Sequence, residues 1–330
     1  LLIIPLGVLL FQIERGEGYT SQVQEEVFIA EDFFTSLQSI SGEVLIGPDE
    51  EVQRRYLDSV AQTRDTLKIQ TYEFTHQLFK ELFSRLAGSG TQVQIIIEDQ
   101  KYQQFQNTLK QLQDFFSGLQ NIEIKSDQQM GTTYVHSKIT LLDNAFWIQS
   151  ANLTKSSFES NREHFFYSED EEVFRSLQQI FEKDWEGVTL MIGDLHSNLV
   201  VCPVNCRGGI EALLSGAQES IIIQTQYIMD EEILKILRKK SEEINLKIIV
   251  ADTIDNANLT NYFGPGVARA LKAHYNHTKM ILVDEKYLLL GSMNLSDNSL
   301  DNNREIGIIL LEEKQIQTFL SGFWADWRNS

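Results

Sequence analysis

The sequence predicts an α/β protein in which one structural unit occurs twice in tandem. Strands and helices alternate along the chain, as they do in sandwiches where helices cover a sheet. Segments 44–74 and 199–229 share one order of apolar and polar stretches, and in each a strand ends on a Gln-Thr pair. These pairs are Gln70-Thr71 and Gln224-Thr225. The chain has 330 residues, enough for two units at about 150 residues per domain. We therefore expect two tandem α/β/α sandwich repeats.

The elements predicted for the two copies follow the same order. Each copy begins with a short strand, a helix with apolar residues at helical spacing, and the strand that ends on the Gln-Thr pair. An amphipathic helix follows at 75–87 or 230–243. An apolar strand comes next, at 92–98 or 246–251. This alternation of strands and helices indicates an α/β sandwich.

The two copies differ in their middle segments. The first carries a further helical stretch at 101–119, where the second has a shorter loop at 252–266. Segment 263–271 lacks the phosphate-loop pattern and reads as a loop entering a helix. Since variable loops on a repeated scaffold usually shape a pocket, we expect these stretches to border the substrate site.

The composition is that of a folded, acidic protein. Hydrophobic residues make up 42% and charged residues 23% of the chain, which excludes a mostly disordered or collagen-like protein. Lys and Arg number 28 against 47 Asp and Glu, which gives a net charge of −19. An acid excess of that size disfavours broad electrostatic binding to nucleic acid.

The amino terminus is apolar. Residues 1–11 carry no charge and are not preceded by an initiator Met, so we expect residues 1–20 to be a truncated apolar segment. Eleven residues are too few for a membrane span of about 20, but they fit the end of an anchor or a signal-peptide core. A buried strand or helix is the alternative. The first repeat is then expected at 21–190 and the second at 195–330.

One polar motif closes each copy. Residues 134–143 (YVHSKITLLD) and 275–284 (YNHTKMILVD) both have the pattern H-x-K-x4-D, and a Ser-x-Asn and an Asn-Arg-Glu triplet follow. The motif residues are His136, Lys138, Asp143, Ser150, Asn152 and Glu163 in the first copy and His277, Lys279, Asp284, Ser292, Asn294 and Glu305 in the second. Two such sets, each followed by the same two triplet patterns, are not expected by chance.

The spacing of the motif suits a phosphate diester. Residues two apart on a strand project from the same face, so each His stands beside its Lys and each Ser beside its Asn. Two cations and several neutral donors around one point form a cradle for a phosphodiester. A carboxylate from Glu163 or Glu305, on the next predicted strand, can hold the Nδ1 proton of an imidazole and leave Nε2 as the reactive atom.

These motifs resemble the signature of the phospholipase D superfamily, a duplicated H-x-K-x4-D followed by G-S-x-N and a downstream acidic residue. The resemblance covers about residues 43–315. It implies two halves packed with pseudo-two-fold symmetry around one site, a phosphohistidine intermediate, and chemistry that needs no metal or other cofactor.

The resemblance also implies a role for each motif residue. His136 would be the nucleophile and His277 the general acid and base. The phosphoryl oxygens would be bound by Lys138, Lys279, Asn152 and Asn294, with support from Ser150 and Ser292. Glu163 and Glu305 would orient the histidines, and Asp143 and Asp284 would brace the motif strands.

The second copy matches the signature fully, with Gly291 before Ser292. In the first copy Gln149 stands in place of that glycine, and one residue fewer separates it from Asp143. We therefore expect a tighter turn there, which affects the placement of Ser150 most.

The remaining polar residues have ordinary roles in this interpretation. Cys202 and Cys206 form a lone C-x3-C pair without the second pair of a structural zinc site, so we interpret both as structural and leave their redox state open. Surface or core positions are expected for the other histidines, which are His76, His164, His196 and His274.

The preferred hypothesis is a phosphodiesterase that hydrolyses membrane phospholipids or transfers their phosphatidyl group to an alcohol, as a cardiolipin synthase would. Its partners would be the phospholipid and a membrane surface, at the membrane or in the cell envelope after export, and one chain would suffice for one active site. The alternatives are a nuclease of the same superfamily, which the net charge disfavours, and a non-catalytic scaffold.

Overall fold

The computed structural model describes residues 30–99 and 108–330, and the side chains of 33–99 and 109–330. The apolar segment predicted at 1–20 therefore lies outside the described residues. Within the described residues, no helix combines the length and the apolar character that crossing a membrane requires.

The first repeat is a sheet of seven strands with its helices. The strands are β1 (Glu43–Gly47), β2 (Thr66–Thr71), β3 (Gln92–Ile97), β4 (Ile122–Ser126), β5 (Ile139–Leu141), β6 (Phe146–Gln149) and β7 (Glu163–Ser168). The helices are α1 (Ala30–Ser36), α2 (Glu50–Ala61), α3 (Gln77–Gly88), α4 (Thr108–Phe115), α5 (Lys155–Glu159) and α6 (Glu171–Glu186). In space the strands follow the order β4-β3-β2-β5-β6-β7-β1.

The second repeat has the same design. The strands are β8 (Leu199–Cys202), β9 (Ser220–Thr225), β10 (Asn245–Ala251), β11 (Ala268–Leu271), β12 (Lys279–Val283), β13 (Tyr287–Gly291) and β14 (Glu305–Leu310). The helices are α7 (Cys206–Gly216), α8 (Glu231–Glu243), α9 (Ala257–Phe263), α10 (Asp297–Asp301) and α11 (Glu313–Arg328). The strand order, β11-β10-β9-β12-β13-β14-β8, is that of the first sheet position by position. The predicted fold class, two tandem α/β/α repeats, is confirmed.

The apolar core has three parts, because each sheet buries both faces. One cluster lies between the two sheets and contains one face of each together with α6 and α11, for example Phe166, Phe181, Ile308 and Phe323. The outer face of each sheet forms a separate cluster with its own helices. Burial on both faces explains why strands such as β3 and β9 read as continuous apolar runs.

Two segments differ from the prediction. Residues 268–271 form strand β11, which pairs parallel with β10, so the expectation of a helix there was wrong. Pairing with the edge of the sheet outweighs the helix propensity of the Ala-Arg-Ala-Leu stretch. The stretch predicted as a loop at 252–266 contains the short helix α9.

Helix α1 precedes the first sheet in sequence, but it packs against α7 of the second repeat. Phe33 belongs to the outer core of the second repeat. The ring of Phe34 lies 4.8 Å from that of Tyr287, measured between centroids. Cys202 and Cys206 form a disulfide that joins the end of β8 to the start of α7.

Candidate active site

The two motif segments lie between the repeats, and each is bonded to the backbone of the opposite repeat. The residue before His136 is bridged to Arg304, and the residue before His277 is bridged to Arg162. The N–H of His136 donates to the carbonyl of Arg304 at 2.9 Å, and that of His277 donates to the carbonyl of Arg162 at 3.0 Å. The histidines therefore lie in extended backbone just before β5 and β12, rather than within those strands.

Each imidazole is held by a carboxylate of the opposite repeat. Nδ1 of His136 lies 2.8 Å from both carboxylate oxygens of Glu305, and Nδ1 of His277 lies 2.8 Å from Oε1 of Glu163. The glutamate side chains are fully buried, whereas those of His136 and His277 are 14% and 11% exposed. No described residue hydrogen-bonds Nε2 of either ring, which leaves both Nε2 atoms available for chemistry.

Ser150 and Ser292 bond these same glutamates. Ser150 Oγ donates to Glu163 at 2.5 Å and Ser292 Oγ donates to Glu305 at 2.6 Å. Both serines are fully buried. Their hydroxyl protons are thus already used, and we expect them to act on a substrate through the carboxylates that they restrain. The different turn of the first copy does not displace Ser150, since its bonds match those of Ser292.

Lys138 and Lys279 lie beside the histidines. Lys138 Nζ donates to the carbonyl of His136 at 2.6 Å, and Lys279 Nζ donates to that of His277 at 2.7 Å. Lys279 also reaches Oε1 of Gln226 at 3.4 Å. An ammonium has three N–H groups, so each lysine keeps at least one for a bound anion.

Both histidines line one cavity of about 550 Å³, so the rings face a common space. Its wall is polar and draws on both repeats. The first repeat contributes Tyr72, Glu73, Tyr134, Asn152, Thr154, Ser156, Ser157 and Asn161 beside His136, and the second contributes Gln226, Tyr227, Tyr275, Asn294, Ser296, Asn298, Ser299 and Asn303 beside His277. The structure thus brings Asn152 and Asn294, two predicted substrate-binding residues, to the same cavity as the histidines.

Burial and the surrounding charges set the protonation of the site. Burial lowers the pKa of His136 to about 4, against the opposing effect of Glu305. Burial also lowers the pKa of Lys138 to about 8 and that of Lys279 to about 7. Burial lowers the pKa of His277 as well, so both imidazoles are favoured in the neutral form. A phosphate anion bound beside the lysines would raise the pKa values of all these groups.

Burial alone would raise the pKa values of the two glutamates, but His277 and Lys279 lower that of Glu163, and His136 and Lys138 lower that of Glu305. Both glutamates therefore remain carboxylates, which can accept a hydrogen bond from the Nδ1–H group of a histidine.

Two buried ion pairs, which the sequence analysis did not identify, also cross between the repeats. Arg304 pairs with Asp184 of α6 at 3.0 Å, and Arg162 pairs with Asp326 of α11 at 2.7 Å. Gln70 donates to Asp184 at 2.8 Å, and Gln224 donates to Asp326 at 2.7 Å. Since the backbone carbonyl of each arginine accepts the N–H of a motif histidine, these pairs position the two motif segments. The available signal was a repeated Asp-Trp, at 184–185 and 326–327.

Asp143 and Asp284 lie away from the cavity and bind backbone. Asp143 accepts the N–H groups of 64–66, and Asp284 accepts those of 218–220. Each aspartate thus ties the turn after the motif strand to the loop before β2 or β9.

Gly291 and Gln149 occupy equivalent positions in different surroundings. A Cβ on Gly291 would lie 2.6 Å from Cα of Gly307 and 2.8 Å from the sulfur of Met293, which excludes a side chain. In the first copy Ala151 replaces that methionine, and Gln149 donates to the carbonyl of Ala151 at 3.0 Å. The turn is not tighter as expected, because 142–145 connects β5 to β6 whereas 284–286 connects β12 to β13, and the strands of the first copy are shorter instead.

None of the other histidines lines the cavity. His76 caps α3, His196 accepts from the N–H of Asn198 at 3.2 Å, and His274 Nδ1 lies 3.1 Å from the carbonyl of Ser160. His164 is buried, and neither ring nitrogen has a hydrogen-bond partner among the described residues. The described residues contain no cluster of three or more His, Cys, Asp or Glu side chains suited to a metal ion.

Comparison with known proteins agrees with this geometry. The family model described as "Cardiolipin synthase, PLD-like domain" matches residues 56–185 and 210–327, one segment in each repeat. Two curated relatives are a cardiolipin synthase of Halalkalibacterium halodurans, 26% identical over 186 residues, and cardiolipin synthase 1 of Bacillus cereus, 28% identical over 191 residues. Each alignment covers 47% of this chain and 37% or 38% of the relative, so the chain spans well under half of their length.

Two solved structures share the fold. Phosphatidylserine synthase of Haemophilus influenzae superposes with a TM-score of 0.69 at 13% identity, over 91% of this chain and 90% of that one. Polyphosphate kinase of Porphyromonas gingivalis superposes with a TM-score of 0.66 at 13% identity, over 92% of this chain and 54% of that one.

The family match extends over most of the chain and contains both H-x-K-x4-D motifs, whose histidines share one cavity. The chain therefore belongs to the phospholipase D superfamily, in the family described as "Cardiolipin synthase, PLD-like domain".

Proposed function

We propose that the protein transfers the phosphatidyl group of a membrane phospholipid to an alcohol or to water, through a phosphohistidine intermediate. The carrying observation is that His136 and His277 line one cavity, each with Nδ1 bonded to a buried carboxylate and Nε2 available. Two such groups on one space suit an in-line displacement at phosphorus, with one as nucleophile and the other as acid.

In the first step Nε2 of His136 attacks phosphorus. The P–N bond forms as the P–O bond to the headgroup breaks, and His277 donates its Nε2 proton to the leaving oxygen. His136 is assigned as the nucleophile because the first copy usually supplies the attacking group in this superfamily. Its pKa of about 4 keeps the ring unprotonated at neutral pH, as attack requires.

In the second step His277 removes the proton of the acceptor hydroxyl. The acceptor oxygen bonds to phosphorus, the P–N bond breaks, and both rings return to their starting state. Glu163 and Glu305 hold the Nδ1 protons throughout and stabilise the imidazolium forms. Lys138, Lys279, Asn152 and Asn294 stabilise the charge on the phosphoryl oxygens, and this preorganised charge supplies the main electrostatic contribution to catalysis.

Several observations favour a phospholipid substrate. The family and the curated relatives carry the name cardiolipin synthase. The net charge of −19 disfavours a nucleic-acid polymer. Both motifs lie in one chain, so a monomer would suffice. We place the protein at a membrane surface, where its substrate resides. The apolar character of residues 1–11 agrees with that location.

Incubation with phosphatidylglycerol vesicles tests the proposal. We expect phosphatidic acid, cardiolipin or both by mass spectrometry, with loss of product for His136→Ala and not for His274→Gln, whose ring lies outside the cavity. Absence of lipid turnover together with cleavage of single-stranded DNA would overturn the lipid assignment.

A further inference from the structure

The two halves of the cavity are nearly equivalent, and among the described lining residues one difference changes the charge. Tyr72 is equivalent to Gln226 and Ser156 to Asn298, without a change of charge. Tyr134 matches Tyr275, Asn152 matches Asn294, and Asn161 matches Asn303. Phe74 is bridged to Leu153 as Ile228 is bridged to Leu295, so the residues just before them, Glu73 and Tyr227, are also equivalent. The first repeat therefore presents a carboxyl group at the position where the second presents a phenol.

The surroundings of Glu73 differ from those of Tyr227. Burial raises the pKa of Tyr227, and the neighbouring side chains of Ser296 and Asn294 partly offset this effect. Glu73 is half-buried, its carbonyl accepts from the N–H of Leu153 at 3.0 Å, and its carboxyl group has no hydrogen bond within the described part of the chain. Burial raises the pKa of Glu73, and the charge of Lys138 partly offsets this effect. The carboxylate thus lies partly desolvated on the wall of the cavity.

A partly desolvated carboxylate limits which chemical groups of a substrate can bind beside it. A second anion would be repelled, and an acyl chain would remove water from the carboxylate without replacing its hydrogen bonds. A hydroxyl or ammonium group would donate to it, and hydrogen bonds to a charged acceptor are the strong ones. In the proposed mechanism Lys138 and Lys279 bind the phosphate, so the group beside Glu73 belongs to one of the alcohols that leave or enter.

We propose that Glu73 forms an alcohol subsite, which selects leaving or acceptor alcohols that carry a second hydroxyl or an ammonium group close to the reactive hydroxyl. The inference rests on the proposed function, because it assigns the alcohol of that same transfer. Glu73 is then a specificity residue that touches substrate, and no proton transfer is assigned to it.

Competition between acceptor alcohols tests the subsite. Phosphatidylglycerol vesicles are incubated with equal concentrations of 1-propanol and either deuterium-labelled glycerol or ethanolamine. The label gives the phosphatidylglycerol product a different mass from the substrate, so the two phosphatidyl products can be measured as a ratio by mass spectrometry. We expect the wild type to favour glycerol, ethanolamine or both over 1-propanol by about tenfold or more, which is the ratio a charged hydrogen bond supports.

Two substitutions separate the two donor types. Glu73→Leu is expected to remove both preferences. Glu73→Gln keeps an acceptor oxygen without the charge, so it is expected to retain the glycerol ratio and lose the ethanolamine ratio. Glu123→Gln is the matched control, since Glu123 is exposed on β4 and lies outside the cavity, and it should keep the wild-type ratios.

Equal use of the three alcohols by the wild type, or wild-type ratios in Glu73→Leu, would overturn the subsite. A wild type that releases no product from vesicles, even with water, would instead overturn the proposed function. The same ratios measured with bis(p-nitrophenyl) phosphate, by transfer of its nitrophenyl phosphoryl group, then decide the role of Glu73.

Discussion

Glu163 of the first repeat holds His277 of the second, with 2.8 Å between Oε1 and Nδ1. Glu305 holds His136 in the reciprocal arrangement. Each motif histidine therefore bonds a glutamate of the other repeat, and neither repeat alone contains a complete His–Glu pair. The active site depends on the interface between the repeats as well as on the motifs.

Replacing either histidine should abolish turnover. Because the two rings act in sequence on one intermediate, neither can substitute for the other, and His136→Ala and His277→Ala are each expected to lose at least about a thousandfold in rate. Steady-state assays on lipid vesicles measure this loss. Near-normal activity in either variant would contradict the two-histidine mechanism, and a phosphorylated His136 trapped by a rapid denaturing quench at neutral pH would support it directly.

The glutamates give a test of which histidine is the acid. Glu163 raises the pKa of His277, so Glu163→Gln should lower that pKa and move the alkaline limb of the rate–pH profile to lower pH. Glu305→Gln should lower the rate and leave that limb in place, because His136 already reacts unprotonated. The reverse result would assign His277 as the nucleophile, and unchanged profiles in both variants would remove the orienting role.

Breaking a crossed ion pair should destabilise the protein. Arg304 and Asp184 are 4% and 1% exposed, so Arg304→Met leaves a buried carboxylate without its partner. A loss of about 3–5 kcal/mol in the free energy of unfolding is expected, measured by urea denaturation with circular dichroism. Much of the loss should be recovered in Arg304→Met with Asp184→Leu. As the control, Arg54→Met removes an exposed pair and should leave the stability unchanged.

His164 should make the fold sensitive to acid. Burial, with a smaller contribution from the charge of Arg162, lowers its pKa to about 3. The unfolded chain takes up this proton near pH 6.5, so the stabilising effect of the neutral ring is complete above that pH and decreases as the pH falls toward about 3.

Ile306 occupies the equivalent position in the second repeat, which makes His164→Ile the natural variant. Between pH 6.5 and pH 5 the wild type should lose about 2 kcal/mol more of its free energy of unfolding than the variant does. Parallel stability curves from urea denaturation at the two pH values would contradict this.

The repetition of the motif made the sequence informative about the fold and the histidines. His136 and His277 were identified because Lys and Asp follow both at equal spacing, and the confirmed fold class follows from strands and helices that alternate twice. The exchange of glutamates between the repeats was not predictable, since Glu163 and Glu305 each follow the motif of their own repeat at nearly the same spacing. Only the packing of the repeats determines which carboxylate reaches which ring.

Other features of the structure were indicated only weakly by the sequence. Strand β11 was predicted as a helix because its residues favour one, and only its neighbour β10 holds it extended. Asp184 and Asp326 lie outside the H-x-K-x4-D motif and its following triplets, although both precede a tryptophan. Glu73 was missed because it belongs to no repeated motif and its equivalent in the second repeat, Tyr227, is a different residue type. Its significance appears only when the two halves of the cavity are compared.

The difference between Glu73 and Tyr227 has a consequence for the covalent joining of the repeats. A homodimer of single-motif subunits would place the same residue on both sides of its axis, so any change near the substrate would occur twice. Fusion into one polypeptide removes this restriction. One wall can then acquire a negative charge while the other keeps a neutral aromatic ring, and the enzyme can distinguish the two ends of an unsymmetrical diester.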